Sequence, residues 1–257
     1  MKRNLIALVM LGGAVFIAAP AIAADPVVFD DPVYKDYIPP YVPEVDDGLE
    51  GAFYLRGSVS GDAGLAHIVN HPNFSPQTQY GVEDWGFGYS AGIGAGYETG
   101  TGLRFDVTVD YLSNEGMSIT VPPGTTGANG DPDPGKYTLN LRSTIALANA
   151  YYDFGLGNQG LSAAGGAFGY VGAGAGVAFN SNTANWPGGE IGARDDNTSF
   201  AAALMTGIGY DFGDIVADLG YRALYINRIE NNATPNPYSI DDTLIHEIRA
   251  SLRYRFN

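Results

Sequence analysis

Hydrophobic and polar side chains alternate with a period of two along most of this chain. The last sixteen residues, Asp242 to Asn257, show the pattern best. From Leu244 every second side chain is Leu244, His246, Ile248, Ala250, Leu252, Tyr254 and Phe256, with Glu247, Arg249, Arg253 and Arg255 lying between. A strand turns successive side chains to opposite faces, so this segment is oily on one face and charged on the other. Seven more stretches alternate in the same way: 52–61, 86–98, 103–111, 137–152, 168–179, 200–212 and 215–225. Their lengths lie near or just above the ~9–11 residues of a tilted membrane strand. Residues 62–85, 112–136, 180–197 and 226–243 form long polar connections; 99–102 and 213–214 are tight turns, and 155–167 is intermediate and Gly-rich.

Parity within each stretch predicts which face meets what. The oily parity carries Phe53, Leu55 and Val59 in the first stretch and Leu103, Phe105, Val107, Val109 and Tyr111 in the third. In the fourth it carries Tyr137, Leu139, Leu141, Ile145, Leu147 and Tyr151. The other parity of the second stretch is Gly88, Ser90, Gly92, Gly94 and Gly96. Glycine on a water-facing strand serves nothing and weakens the strand. Inside a narrow tube it leaves room for large side chains opposite. Those large side chains are charged: Arg56, Arg104, Arg142, Arg222, Arg249, Arg253 and Arg255 share the inward parity with Glu98, Asp106, Asp110, Asp211, Asp218 and Glu247. The oily parity carries no Asp, Glu, Lys or Arg, as a lipid-facing surface requires. The expected fold is all-β: an eight-stranded antiparallel transmembrane β-barrel with its oily face outward, aromatic rings at both rims and a charge-paired lumen. The interior of so small a barrel is just wide enough for side chains to fill, so a structural plug is favoured over a conducting path.

The ends and the composition fit that reading. Lys2 and Arg3, the apolar run Leu5 to Ala18 and the small-x-small Ala21-Ile22-Ala23 predict a secretory leader cleaved near Ala23. No other run approaches the ~20 apolar residues of a spanning helix, so a membrane form of this chain must span as a barrel. Residues 24–50 hold five prolines and eight acids against one Lys, and predict an extended periplasmic linker before a barrel over 51–257. With the leader directing the N-terminus, both ends are expected in the periplasm and the long connections outside. The net charge of −15 argues against nucleic acid as a partner, and the absence of cysteine excludes disulfides and thiolate metal sites. No metal or other cofactor is expected.

Several segments resemble the small porin-like outer-membrane proteins of alphaproteobacteria, within the wider OmpA/opacity-type barrel group. They are Phe53–Gly57 (FYLRG), Asn149–Phe154 (NAYYDF), Tyr170–Gly176 (YVGAGAG), Gly209–Phe212 (GYDF), Asp218–Arg222 (DLGYR) and His246–Phe256. The resemblance implies an outer-membrane location, contact with outer-membrane lipid, and insertion by the barrel-assembly machinery through the terminal Leu252, Tyr254 and Phe256. It also implies surface roles such as haemin or host and phage binding. Asn257 after Phe256 departs from the usual terminal aromatic and implies weaker recognition by that machinery.

Candidate chemistry outside the lumen is sparse. His67 and His71, with Tyr80 nearby, lie in the first long connection and are candidate haemin or metal ligands, although no third metal-ligand pattern accompanies them. His246 lies on the oily parity. Some eight-stranded barrels are lipid A-modifying hydrolases with His and Ser two residues apart on that face; here Ile248 and Ala250 follow. No Ser–His–acid arrangement stands out, so an enzyme is not expected. The functional expectation is a structural or surface-interacting barrel, with a narrow solute pore and loop-borne haemin or partner binding as alternatives.

Overall fold

The computed structural model describes residues 51–127, 132–156, 165–187, 192–233 and 237–256. The expected leader 1–23, the linker 24–50 and Asn257 lie outside these residues. In chain order the strands are β1 (Ala52–Leu65), β2 (Ile68–Asn70), β3 (Phe74–Ser75), β4 (Gln79–Gly81), β5 (Gly86–Glu98) and β6 (Leu103–Val121). They continue as β7 (Thr126–Gly127), β8 (Gly135–Gly155), β9 (Gly166–Asn185), β10 (Asp195–Asp211), β11 (Ile215–Asn231) and β12 (Tyr238–Phe256). Among the described residues the eight long strands pair antiparallel in the ring β1-β5-β6-β8-β9-β10-β11-β12, and β12 closes on β1 from Phe256↔Phe53 to Leu244↔Leu65. Closure gives every long strand a neighbour on both sides, as lipid demands. The β10–β11 ladder runs from Asp211↔Val216 to Ala201↔Ile226, and beyond it the Asn197 and Ser199 side chains donate to the Arg228 carbonyl.

Both ends of the barrel chain, Ala52 and Phe256, lie at one rim, the turn end. There Thr99 N–H donates to Leu103 O and Phe212 N–H to Ile215 O, each at 2.9 Å. Gly102 and Gly213, at φ 92° and 100°, supply the left-handed backbone these tight turns need.

The outer wall is oily over a definite band. One row across four strands, Leu103–Tyr152–Val171–Thr206, marks its lower limit, and Tyr111–Thr144–Phe179–Thr198 its upper limit. Between them lie Phe105, Val107, Val109, Val177, Phe200 and Leu204, all exposed. Eight residue steps at ~3.3 Å, tilted by ~40°, span roughly 20 Å, close to the ~25 Å apolar band of outer-membrane barrels.

Above that row the strands do not stop. The segments expected as loops at 112–136, 180–197 and 226–243 are largely strand, with β6 reaching Val121, β9 Asn185 and β11 Asn231. Their polarity is reversed. The wall outside carries Glu115, Asn140 and Thr183, while Met117, Ile119, Val121, Leu139, Ile226, Ile229 and Ile240 are buried inside. A β-bulge at Gly116 (φ 101°) shifts the register between Glu115 and Met117 and turns the following apolar positions inward. The loop end is therefore built like a soluble barrel, oily within and polar without. β2 pairs with β12 and β4 with β2, and β3 pairs with β7, so the first connection folds over this mouth.

One strand corrects the sequence reading. On β8 the inward side chains are Tyr137, Leu139, Leu141, Ile145, Leu147 and Tyr151, all buried, while Ala148, Ala150 and Tyr152 face out. Both faces of this strand are apolar in the membrane band, so period two alone cannot rank them, and the larger side chains fill the lumen. With the parity reversed, Arg142 belongs outside and Asp153 inside. Two substitutions test the faces. Val107→Arg, at the middle of the oily band, should weaken folding into lipid by about 2–4 kcal/mol. Leu147→Ala should cost about 2–5 kcal/mol through the cavity it opens. Denaturant unfolding in lipid vesicles reads both, and a harmless Leu147→Ala would return β8 to the expected parity.

Candidate functional site: the lumen and the loop-end surface

The lumen is crossed by ion pairs in two layers. Nearer the turn end, Arg104 donates through Nε and Nη2 to the two oxygens of Asp153 at 3.0 and 3.1 Å, a bidentate fork. Its guanidinium lies 3.9 Å from the Tyr151 ring centroid. Arg56 donates to Asp106 at 3.1 Å, to the Tyr151 hydroxyl at 2.7 Å and to Ser251 at 3.2 Å. Tyr54 and Asn149 add donors to Asp106 at 2.9 and 2.7 Å. Arg253 reaches Glu98 at 3.2 Å and Asp218 at 4.0 Å, and lies between the Tyr54 and Phe168 rings. Arg255 closes the turn end on Glu98 and Asp211.

The second layer sits nearer mid-barrel. Arg222 donates to Asp110 at 2.8 Å and to Glu247 at 2.9 Å, and Arg249 donates to Asp110 and to the Ser58 hydroxyl. Arg104, Arg222, Arg253, Tyr54 and Phe168 are each less than 2 % exposed. Desolvated charges of this kind persist because each has partners with good geometry. Glycine makes the packing possible. A Cβ on Gly96 would lie 2.6 Å from the Tyr54 ring, and one on Gly220 2.0 Å from the Tyr170 hydroxyl.

Of the residues expected in the lumen, Arg56, Glu98, Arg104, Asp106, Asp110, Asp218, Arg222, Glu247, Arg249 and Arg253 come together there. Arg142 does not. It stands on the outer wall, paired with Glu115 at 2.8 Å, with its side chain 56 % exposed. Sequence reasoning missed Asp153, one residue past the stretch 137–152, and Asp62, which falls in the connection 62–85. Asp62 is buried and accepts from Asn114. It also missed the aromatic filling by Tyr54, Tyr151, Phe168 and Tyr170. Tyr54 shares the parity of Arg56, and that signal was available.

At the loop end His67 is exposed, whereas His71 and Tyr80 are buried. His71 stacks on Phe74 at 4.3 Å between centroids, with Tyr80 and Tyr238 at 5.7 and 5.6 Å. These rings form a cap over the apolar mouth. Burial lowers the His71 imidazole from its ordinary 6.5 to about 4, against a smaller opposing effect of a hydrogen bond to the Pro237 backbone. His246 lies on the oily wall, hydrogen-bonded to the Tyr221 hydroxyl and stacked near Tyr221 at 5.9 Å and Trp85 at 6.3 Å. Leu252, Tyr254 and Phe256 all face outward. Among the described residues no group of three or more His, Cys, Asp and Glu side chains could hold a metal ion.

A closed ring with an oily band outside and paired charges inside defines an integral outer-membrane barrel. The chain belongs to the outer membrane protein β-barrel domain family, whose family model matches residues 42–256. An uncharacterized protein of Brucella suis biovar 1 is 29 % identical over the full length of both chains. Among solved structures, Neisserial surface protein A is 21 % identical, with a TM-score of 0.46, covering 79 % of this chain and 97 % of that one. OprG of Pseudomonas aeruginosa is 14 % identical with a TM-score of 0.41, covering 80 % and 97 %.

Removing one luminal cation should be costly. Arg222→Ala should destabilise the barrel by about 3–5 kcal/mol in denaturant titrations, because Asp110 and Glu247 lose a partner while still buried. The double variant Arg222→Met, Glu247→Leu should recover part of that loss. The cap should respond to pH. Because His71 is depressed in the fold, its contribution is full above pH 6.5 and is lost as pH falls towards about 4. Hydrogen exchange of residues 68–81, corrected for intrinsic rates, should accelerate across that window in the natural chain and stay flat in His71→Phe.

Proposed function

We propose that this chain is a sealed outer-membrane barrel that acts through its loop-end surface and does not pass solutes through its lumen. The seal is the observation that carries the reading. The lumen is filled by paired charges and aromatic rings in the membrane band, and by an apolar core under the His71 cap beyond it. A solute would have to separate buried ion pairs at several levels and then open the packed layer under the cap.

The orientation follows from the leader. Export and cleavage near Ala23 put the linker 24–50 and the turn end in the periplasm, and the loop end outside the cell. The outward terminal row Leu252, Tyr254 and Phe256 is then free to meet the barrel-assembly machinery during insertion. Partners of the mature protein, whether haemin or a host or phage surface, meet the loop end. His67 is the exposed imidazole for haemin there, because His71 and Tyr80 are held in the cap. A broad concavity of about 940 Å³ on the oily wall, floored by Ala95, Ala148, Ala150 and Ala173 between Phe53 and Phe105, lies among lipid tails rather than in the lumen.

Planar-bilayer recording of the folded mature protein in salt tests the seal. The expected trace is silent. Discrete, stable conductance steps that change with Arg56→Gln or Arg249→Gln would overturn the reading in favour of a narrow pore.

A further inference from the structure

We propose that the loop-end groove on the outer wall of β8, β9 and β10 seats the phosphorylated sugar headgroup of an outer-leaflet glycolipid. The inference rests on the orientation proposed above. The groove encloses about 550 Å³, and its lining includes Arg142, Arg194, Tyr111, Phe179, Ser181 and Thr198. That volume is in the usual range for small-molecule sites.

Height is the first argument. Tyr111, Thr144, Phe179 and Thr198 form the row that ends the oily band. The next outward row is Ser113, Arg142, Ser181 and Asp196. The Arg142 guanidinium therefore stands one row, about 5 Å along the wall, beyond the hydrocarbon boundary. Lipid phosphates and sugars lie at that level.

Both arginines keep donors free. Arg142 uses Nη2 on Glu115 at 2.8 Å, and Arg194 uses Nε on Asp196 at 3.2 Å. Their side chains are 56 % and 66 % exposed, so each guanidinium presents further N–H groups to solvent. Planar guanidinium forks match phosphate oxygens in pairs.

Asp196 lines the groove with the two arginines, and Glu115 pairs with Arg142 from beside it, so both arginines are answered by a carboxylate and an arbitrary anion finds little net charge to attract it. A phosphosugar meets both signs: its phosphate accepts from the arginines and its hydroxyls donate to the carboxylates. Ser181 and Thr198 offer more partners for hydroxyls, and the exposed Tyr111 and Phe179 rings provide apolar faces against which a sugar or the first methylenes of a tail can rest. Below them a low strip, where Ala146, Ala148 and Ala175 face out beside Val177 and Phe200, leaves room for a tail beneath a seated headgroup.

The full mature chain, folded in detergent micelles, should be titrated with diphosphorylated lipid A, its dephosphorylated form, phosphatidylglycerol and inorganic phosphate. Native mass spectrometry reads the bound fraction. The diphosphorylated glycolipid should bind at least tenfold more tightly than each of the other three. Arg142→Gln with Arg194→Gln should erase that preference, whereas Arg228→Gln, a loop-end arginine outside the groove, should keep it. Equal binding of phosphorylated and dephosphorylated glycolipid to the natural chain would overturn the proposal without any variant. So would equal binding of phosphatidylglycerol, or undiminished binding by the double variant. The bilayer recording addresses the seal separately, so conduction there would leave this result standing or falling by itself.

Discussion

The rest of the structure depends on the closure of β12 on β1. In lipid an unpaired N–H or C=O has no water to turn to, so a sheet can enter the membrane only as a ring. Thirteen residue pairs, from Phe53↔Phe256 to Leu65↔Leu244, complete that ring. Once eight strands are closed, the interior width is set, and it admits side chains and little else. The lumen must then be filled without leaving a charge alone. The sequence provides the room by placing Gly94 and Gly96 of β5 beside Arg56 and Tyr54 of β1, and Gly220 of β11 under Tyr170 of β9.

The arginines show how filling and charge are reconciled. A buried salt bridge is no guarantee of stability, since desolvation can offset its attraction. The arrangement here is a network in which most carboxylates serve more than one donor. Asp106 accepts from Tyr54, Arg56 and Asn149, and Asp110 from Arg222 and Arg249. Multiple partners lower the cost of holding each charge inside. They also tie strands far apart in sequence, as Arg56 does by bonding to residues on β6, β8 and β12. The network sets the strand order as much as it fills space.

The eight strands, seven of their eight facings and most of the luminal charges were legible from parity, because lipid outside and charge inside make the two faces chemically unlike. Legibility failed where that contrast failed. On β8 the outward Ala146, Ala148 and Ala150 and the inward Ile145 and Leu147 are all apolar, so the larger residues were assigned to lipid. Arg142 was misplaced by the same slip, and Asp153 was left out because the stretch was ended at 152. Above the Tyr111–Phe179 row the contrast inverts. Met117 and Ile119 turn in after the bulge at Gly116, and a segment that no longer alternates like a membrane strand reads as a polar loop. The His71 cap was not legible, because it assembles from His71, Phe74, Tyr80 and Tyr238, which are brought together only when the first connection pairs with β12.

The inversion bears on function. A barrel that is oily outside up to one row and oily inside beyond it has two differently solvated halves, and its unspent polar chemistry collects where they meet. In the lumen the arginines answer carboxylates, and under the cap the apolar side chains are joined by buried asparagines that are already hydrogen-bonded, as Asn182 is to Tyr238. On the wall just past the Tyr111–Phe179 row, Arg142 and Arg194 keep exposed donors at the height of headgroups. His246 and Tyr221 form a polar pair lower on the same wall, within the oily band. Recognition by such a protein is therefore a property of its perimeter. The sealed lumen supplies the rigidity that holds this perimeter in register, since loosening one strand would require separating charges buried on several others.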